Sequence, residues 1–431
     1  MVGQKRKTCD KGSPRSWICQ LPDALISDIL TRVPTKYAVR TGALSKRWIN
    51  HWKNVHGLDL DSFEFLDMDT FVSFVGNFFD SHRESMIEKI RLGVHYSGCK
   101  SLLTQWTDIA TRRKIEHLDV RYFDPCSDAT MPVSLYTCKT LVHLRLSWVA
   151  VANFEVVSLP CLKIMHLECI RHLTEPTVEK LILGSPVLED LTIIRDTSGE
   201  RFIEVRSNTL KRIHKDSCTE VVIDAPLLEY LSTSVHFGKN FKIINLGCST
   251  TLDIDSVYPR VTCTKPLIYD ILTDIPRFRG LVTSRYILKD IFQYSEPGPL
   301  LQFRDLSHLR LKFSKSDLEM LPAILESCPK LQSLILELIK DLRYKKKNRE
   351  PKLMFSTVPP CLVSSLKVVE LIRLVPRYRG EVELVRYFLN NSQILEKLRL
   401  DTYYTKRAKR DFLKKIFALP RCSSACEVIV L

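Results

Sequence analysis

The stretch Leu141-Val-His-Leu-Arg-Leu146 decides the fold, because it recurs along the chain. Copies stand at Ile115-Glu-His-Leu-Asp-Val120, Leu162-Lys-Ile-Met-His-Leu167, Leu188-Glu-Asp-Leu-Thr-Ile193, Leu306-Ser-His-Leu-Arg-Leu311, Leu331-Gln-Ser-Leu-Ile-Leu336, Leu366-Lys-Val-Val-Glu-Leu371 and Leu395-Glu-Lys-Leu-Arg-Leu400. Weaker ones begin at Leu210 and Leu228. Each has strand length, with apolar residues at its first, fourth and sixth positions. The starts at 115, 141, 162, 188 and 210 lie 26, 21, 26 and 22 residues apart. A self-similar period of that length marks a stacked array, in which one unit cannot bury its own leucines and its neighbours complete the core.

The period is that of leucine-rich repeats. Leu159-Pro160-Cys161, Ser185-Pro186-Val187, Ala225-Pro226-Leu227 and Cys328-Pro329-Lys330 each lead into a copy, and each proline should end the preceding segment before the strand. The Asn or Cys that regular repeats place after the strand is mostly missing, which predicts irregular return segments. Strand side chains alternate faces, so the residue between the last two apolar positions points away from the core. These residues are Asp119, Arg145, His166, Thr192, His214, Ser232, Arg310, Ile335, Glu370 and Arg399. They are expected to line one concave face, with Arg145, His166, Thr192, Arg310, Ile335 and Arg399 as candidate contacts to a target protein. An ordinary solvated face is the alternative at any single position. No clean repeat bridges Leu228 to Leu306, and from Ile271 to Phe292 the apolar pattern weakens.

The segment from Trp17 to Trp52 follows a different rule. Leu25, Ile26, Ile29, Leu30 and Val33 recur at helical spacing. Pro22 at the start and Pro34 after Val33 bound a first helix over 22–32. Thr35 is a candidate N-cap for a second, and a third is expected from Ser45, with Trp48 and Trp52 on one face. So short a trio cannot enclose all its apolar side chains, which leaves a surface for another protein to cover. The run Leu21-Pro22, Ile29-Leu30, Val33-Pro34-Thr35-Lys36, Ala38-Val39-Arg40-Thr41, Leu44-Ser45-Lys46-Arg47-Trp48 and Trp52 resembles the F-box of the plant F-box/leucine-rich-repeat/FBD proteins. The resemblance implies docking onto a Skp-type linker subunit, and through it onto a cullin. Carried over by residue, the contacts would be Leu21, Pro22, Ile29, Leu30, Val33, Pro34, Val39, Leu44 and Trp48, some of them doubling as internal core. Trp48 and Leu30 are the expected anchors.

Residues 358–431 read as strand, helix, strand, helix, strand, with Leu384, Val385 and Phe388 on the buried face of the first helix. This block resembles the FBD domain, and its company with the N-terminal motif sharpens the family resemblance. It would cap the repeat array. The expected organisation is a flexible basic tail over 1–16, an F-box over 17–58, leucine-rich repeats over 59–340, a basic linker over 341–352 and an FBD domain over 353–431. The fold class is α/β: a three-helix F-box, then an irregular leucine-rich-repeat solenoid with a curved sheet and helices or loops on its convex side, then an α/β FBD cap.

A hydrophobic share of 45% with 26% charged residues is that of an ordinary globular protein, and no apolar run approaches membrane-span length. Cytoplasm and nucleus are the expected locations. The 14 cysteines, among them Cys138, Cys161, Cys169 and Cys328, are read as reduced core thiols. The formal charge of +15 gathers at Lys5-Arg6-Lys7, Lys345-Lys346-Lys347 with Arg349, and Lys406-Arg407 with Lys409-Arg410. These are read as solvated tails and loops, so neither nucleic acid nor membrane is an expected partner. No GxSxG, phosphate-loop, HExxH or dinucleotide motif is present. No cofactor or metal is expected. The reading is a non-catalytic substrate-recruiting subunit of a Skp-cullin-F-box ubiquitin ligase; the alternative is a leucine-rich-repeat scaffold with a vestigial F-box.

Overall fold

The computed structural model describes residues 21–81, 87–124, 128–194, 202–216, 220–234, 241–247, 249–255, 278–284, 287–288, 302–339, 358–374, 379–402 and 406–431. It divides into two compact units, Met1–Leu173 with Leu183–Leu188, and Thr174–Ile182 with Glu189–Leu431. The basic tail, the linker over 341–352 and most of 271–292 lie outside the described residues.

In the first unit, helices α1 (Asp23–Thr31) and α2 (Thr35–Arg40) and a 3-10 segment (Trp48–Asn54) precede five strands. These are β1 (Gly57–Asp61), β2 (Lys89–Val94), β3 (His117–Tyr122), β4 (His143–Ser147) and β5 (Ile164–Glu168), hydrogen-bonded in that order and all parallel. Parallel neighbours need crossover connections. Here α3 (Met68–Ser81) links β1 to β2, and α4 (Lys100–Arg112) links β2 to β3. The register aligns Leu58, Ile90, Leu118, Leu144 and Met165 in one buried row, and Leu60, Leu92, Val120, Leu146 and Leu167 in the next. Phe71 of α3 and Trp106 of α4 meet edge to face at 5.9 Å.

β1 and β2 precede the first copy recognised by its leucines. Their lead-ins, Val55-His-Gly-Leu58-Asp-Leu60 and Ile87-Glu-Lys-Ile90-Arg-Leu92, are the same motif with β-branched residues in place of leucine, and Val55 and Ile87 are buried.

In the second unit the main sheet runs through β6 (Asp190–Ile194), then, past β7 (Phe202–Arg206), β8 (Arg212–Asp216), and past β9 (Glu220–Ala225), β10 (Tyr230–Ser234). Past β11 (Phe241–Leu246) it continues through β12 (Thr251–Asp255), β13 (Gly280–Ser284), β14 (His308–Ser314), β15 (Ser333–Ile339), β16 (Val368–Leu374), β17 (Lys397–Thr402) and β18 (Glu427–Val430). The return strands β7, β9 and β11 form their own parallel sheet, with β9 in the middle. Strands, rather than the expected helices or loops, return the chain here. Phe202-Ile-Glu-Val-Arg206 alternates β-branched and polar residues and Glu220-Val-Val-Ile-Asp224 holds a run of three β-branched ones, strand rather than helix signals.

The interval without a clean repeat contains β12 and β13. Leu252, Ile254 and Leu281 are buried, but the remaining inward position holds Thr283, which hid the period.

The four proline lead-ins share one turn. The N–H groups of Leu162, Leu188, Leu228 and Leu331 donate to the carbonyls of Leu159, Ser185, Ala225 and Cys328 at 3.2, 3.1, 3.1 and 3.3 Å. Proline thus occupies the second turn position, where its fixed φ is already suited. Cys138 and Cys328 are buried as expected, but Cys161 is exposed because it follows the turn proline at the surface, and Cys169 is half-buried. The C-terminal block opens with a short helix, Pro360–Ser364, where a strand was expected from residue 358, and then follows the expected alternation: β16, helix Arg379–Asn391, β17, helix Lys406–Phe417, β18, with Leu384, Val385 and Phe388 buried.

Candidate interaction surfaces

Pro22 and Pro34 stand immediately before α1 and α2 with extended backbones, and their carbonyls accept from Ile26 and Ala38 at 3.1 Å each. Thr35 is the first residue of α2 rather than its cap. Its buried hydroxyl accepts from the Asp59 N–H at 2.8 Å, which stitches the helices to β1. The third segment begins at Trp48 rather than Ser45 and is a 3-10 helix. Its Trp52 stacks on Phe74 of α3 at 5.7 Å. Gly42 lies in the 3-10 turn Thr41–Ala43 that follows α2. A Cβ at Gly42 would come within 3.3 Å of the Ile49 backbone, so the missing side chain lets the turn and the third segment approach closely.

The trio has a small core: Ile26, Leu30, Ala38, Trp48 and Val55, with Leu21, Val33 and Trp52 against it. The two expected anchors, Leu30 at 2% and Trp48 at 1% exposure, are therefore internal and present no surface to a partner. The physical reason is the width of the α1 stripe. Ile26 and Leu30 face inward, whereas Leu25 and Ile29, one residue earlier on each turn, face out. Of the nine residues carried over, Pro22, Ile29, Pro34 and Leu44 are exposed, and Leu21, Val33 and Val39 are half-buried. Three exposed apolar residues were missed: Leu25 at 50%, Tyr37 at 53% and Ile49 at 49%. The signal for Leu25 was available, since it stands four residues before Ile29. Together with Ile29 at 44% and Leu44 at 55%, they give the trio an outward apolar set as large as its core. Arg47 and, at 3.5 Å, His51 face Asp23 across it, and the Arg47 hydrogen bond holds the Asp23 carboxyl below its usual range.

On the sheet of the first unit, Asp59, Arg91, Asp119, Arg145 and His166 fall in one cross-strand row. Their charges are paired in the plane of the sheet. Arg91 reaches Asp59 at 3.4 Å and Asp119 at 3.7 Å, Arg121 reaches Asp119 at 2.8 Å, and Arg145 reaches Glu168 at 3.3 Å. Ser147 donates to Glu168 at 3.0 Å, with His166 3.4 Å from the same carboxylate. Partial burial pushes the Glu168 carboxyl up, but the Ser147, His166 and Arg145 hydrogen bonds outweigh it and leave its pKa lowered. Burial, with Arg145 nearby, lowers that of His166. At the strand ends His95 is sandwiched between Phe63 at 3.6 Å and Phe123 at 4.1 Å.

In the second unit Thr192, His214, Ser232, Asp253, Val282, Arg310, Ile335, Glu370 and Arg399 are in register across β6 to β17. Arg310 and Arg373 reach Glu337 at 3.3 and 3.1 Å. All six candidate target contacts are exposed or half-buried, and they divide between two rows, Arg145 and His166 in one unit and the other four in the other. Asp253 and Val282 belong to the second row and were missed with their repeats. Among the described residues no cluster of three His, Cys, Asp or Glu side chains could hold a metal, and no helix is long and apolar enough to cross a membrane.

Three family models match: an F-box domain over residues 18–59, the LRR repeats of FBD-associated F-box protein At5g56370 over 103–254, and FBD over 355–400. Among curated proteins of Arabidopsis thaliana, F-box/FBD/LRR-repeat protein At1g51370 is 52% identical, covering 100% of both chains. F-box/FBD/LRR-repeat protein At5g53840 is 45% identical over 99% of this chain and 98% of its own. FBD-associated F-box protein At5g22730 is 37% identical over 96% and 94%. With similarity of that depth across nearly the whole of each sequence, the chain belongs to the F-box/FBD/LRR-repeat protein family.

Proposed function

We propose that this chain is the substrate-recruiting subunit of a Skp-cullin-F-box ubiquitin ligase, acting as an adaptor with no catalytic step of its own. One observation carries the reading: Leu25, Ile29, Tyr37, Leu44 and Ile49 stand outward on helices whose own core is already complete. Five large apolar side chains in so small a segment are costly to leave in water, and a linker subunit would cover them. The contact set accordingly loses Trp48 and Leu30, keeps Pro22, Ile29, Pro34 and Leu44, and gains Leu25, Tyr37 and Ile49, with Leu21, Val33 and Val39 at its margin. Trp48 and Leu30 act beneath it, by holding α1 and α2 in place.

The outward strand rows would hold the target, with Arg145, His166, Thr192, Arg310, Ile335 and Arg399 as contacts, and the FBD block over 353–431 would close the repeat array. Holding a target beside a charged ubiquitin carrier raises the local concentration of its lysines, so proximity does the work. Action in the cytoplasm or nucleus follows from that role. The test is co-elution of the full chain with a Skp-type linker. An Ile29→Asp, Leu44→Asp double variant should lose co-elution while keeping its melting temperature. Undiminished co-elution sinks the adaptor reading and leaves a repeat scaffold whose F-box engages nothing.

A further inference from the structure

The basic cluster Lys406-Arg407 with Lys409-Arg410, read from sequence as solvated loop charge, begins the helix Lys406–Phe417. That helix has the sequence KRAKRDFLKKIF, in which six cations stand against one acid, Asp411. Lys406 and Arg407 occupy its first turn, where the helix dipole disfavours positive charge. Arg410 and Lys414 stand at i, i+4 spacing, where like charges destabilise a helix. Lys414 and Lys415 lie in the last turn, where the dipole favours cations, so local stability accounts for those two but not for the cations nearer the start.

The described side chains show what the helix presents. Phe412 and Ile416 are buried, at 2% and 0% exposure. Opposite them, Arg410 and Lys414 are exposed, and Phe417 is 54% exposed. At about 100° per residue these three fall within roughly 60° of one another, on a stripe about 10 Å long. Among the described residues no carboxylate pairs with Arg410, Lys414 or Lys415.

We infer that the exposed face of helix Lys406–Phe417 docks an acidic polypeptide segment carrying an apolar side chain, its carboxylates meeting Arg410 and Lys414 and its apolar group meeting Phe417. Charge complementarity selects an anionic partner. The aromatic ring in line with the cations favours a peptide over a nucleic-acid backbone, whose phosphates would use the charges and leave the ring unmatched. The inference stands whether or not the N-terminal helices engage a linker.

The experiment titrates the full chain with a synthetic peptide of alternating glutamates bearing a leucine at every fourth position, and separately with duplex DNA, at low and physiological salt. The peptide should bind and weaken with salt. An Arg410→Glu, Lys414→Glu variant should lose about tenfold or more in affinity, and Phe417→Ser several-fold, each with an unchanged melting temperature. Failure of the parent chain to bind the peptide at low salt, equal affinity in the charge-reversed variant, or tighter DNA binding indifferent to Phe417→Ser each overturns the inference.

Discussion

The N-terminal helices and the repeat strands solve the same burial problem in opposite ways. In the strands, period-2 alternation sends every second side chain inward, so Leu334 and Leu336 of β15 are fully buried, while Ile335 between them is only half-covered. In α1 the apolar stripe is two residues wide, and Leu25 and Ile29 stay in water beside the buried Ile26 and Leu30. The strands show an apolar interior and a largely charged exterior already paired within itself, as in Arg91 between Asp59 and Asp119. The helices show apolar residues on both sides. The difference teaches that the helices leave apolar surface uncovered whereas the strand face leaves a polar one already paired within itself.

Substitutions test the contrast, beginning with the largest expected effect. Trp48→Ala removes the largest side chain of the small helical core and should cost about 3–5 kcal/mol, opening 21–55 to amide hydrogen exchange while the strands stay protected. Leu334→Ala, between Leu309 and Val369 in its row, should cost about 2–5 kcal/mol, read in denaturant unfolding. Ile29→Ala should change stability by no more than about 0.5 kcal/mol yet weaken linker binding by about 2 kcal/mol. If the order of those two readouts is reversed, the outward residues are structural and the contrast fails. Asp317→Ala removes one half of the buried capping box with Ser314 at the end of β14 and should cost about 1 kcal/mol.

Acidification sharpens the contrast on the strand side. Glu168 and His166 both have lowered pKa values in the folded state. Groups with depressed folded values stabilise above their unfolded pKa and lose that contribution as pH falls through the folded one. Stability should therefore decline first below the ordinary histidine range and again through the carboxylate range. Arg145→Ala removes one of the hydrogen bonds holding Glu168 low and should shrink the second decline, followed by thermal melts across pH.

Alternation made the strand faces legible, because a single rule fixes which side chain points out. Arg145 and His166, like Arg310, Ile335 and Arg399, fall in the rows that rule implies. Copies built on Val55, Ile87 or Thr283 were not legible by leucine, since β-branched and polar residues took the same places. The helical surface was legible as a surplus of apolar residues, but not by residue. Which side of α1 turns inward depends on where Trp48 lands, a tertiary fact that helical spacing does not contain. Helical spacing therefore does not distinguish the buried Trp48 and Leu30 from the exposed Leu25, Tyr37 and Ile49.

The most direct test is the heat-capacity change when a purified Skp-type linker is titrated into the full chain, compared between the parent, a Leu25→Asp, Ile29→Asp, Ile49→Asp variant and Arg145→Ala. Apolar docking predicts saturable binding with a negative heat-capacity change in the parent and in Arg145→Ala, and its loss in the triple variant. Equal affinity in all three, or binding without a heat-capacity change, would contradict an outward apolar surface completed by a foreign subunit.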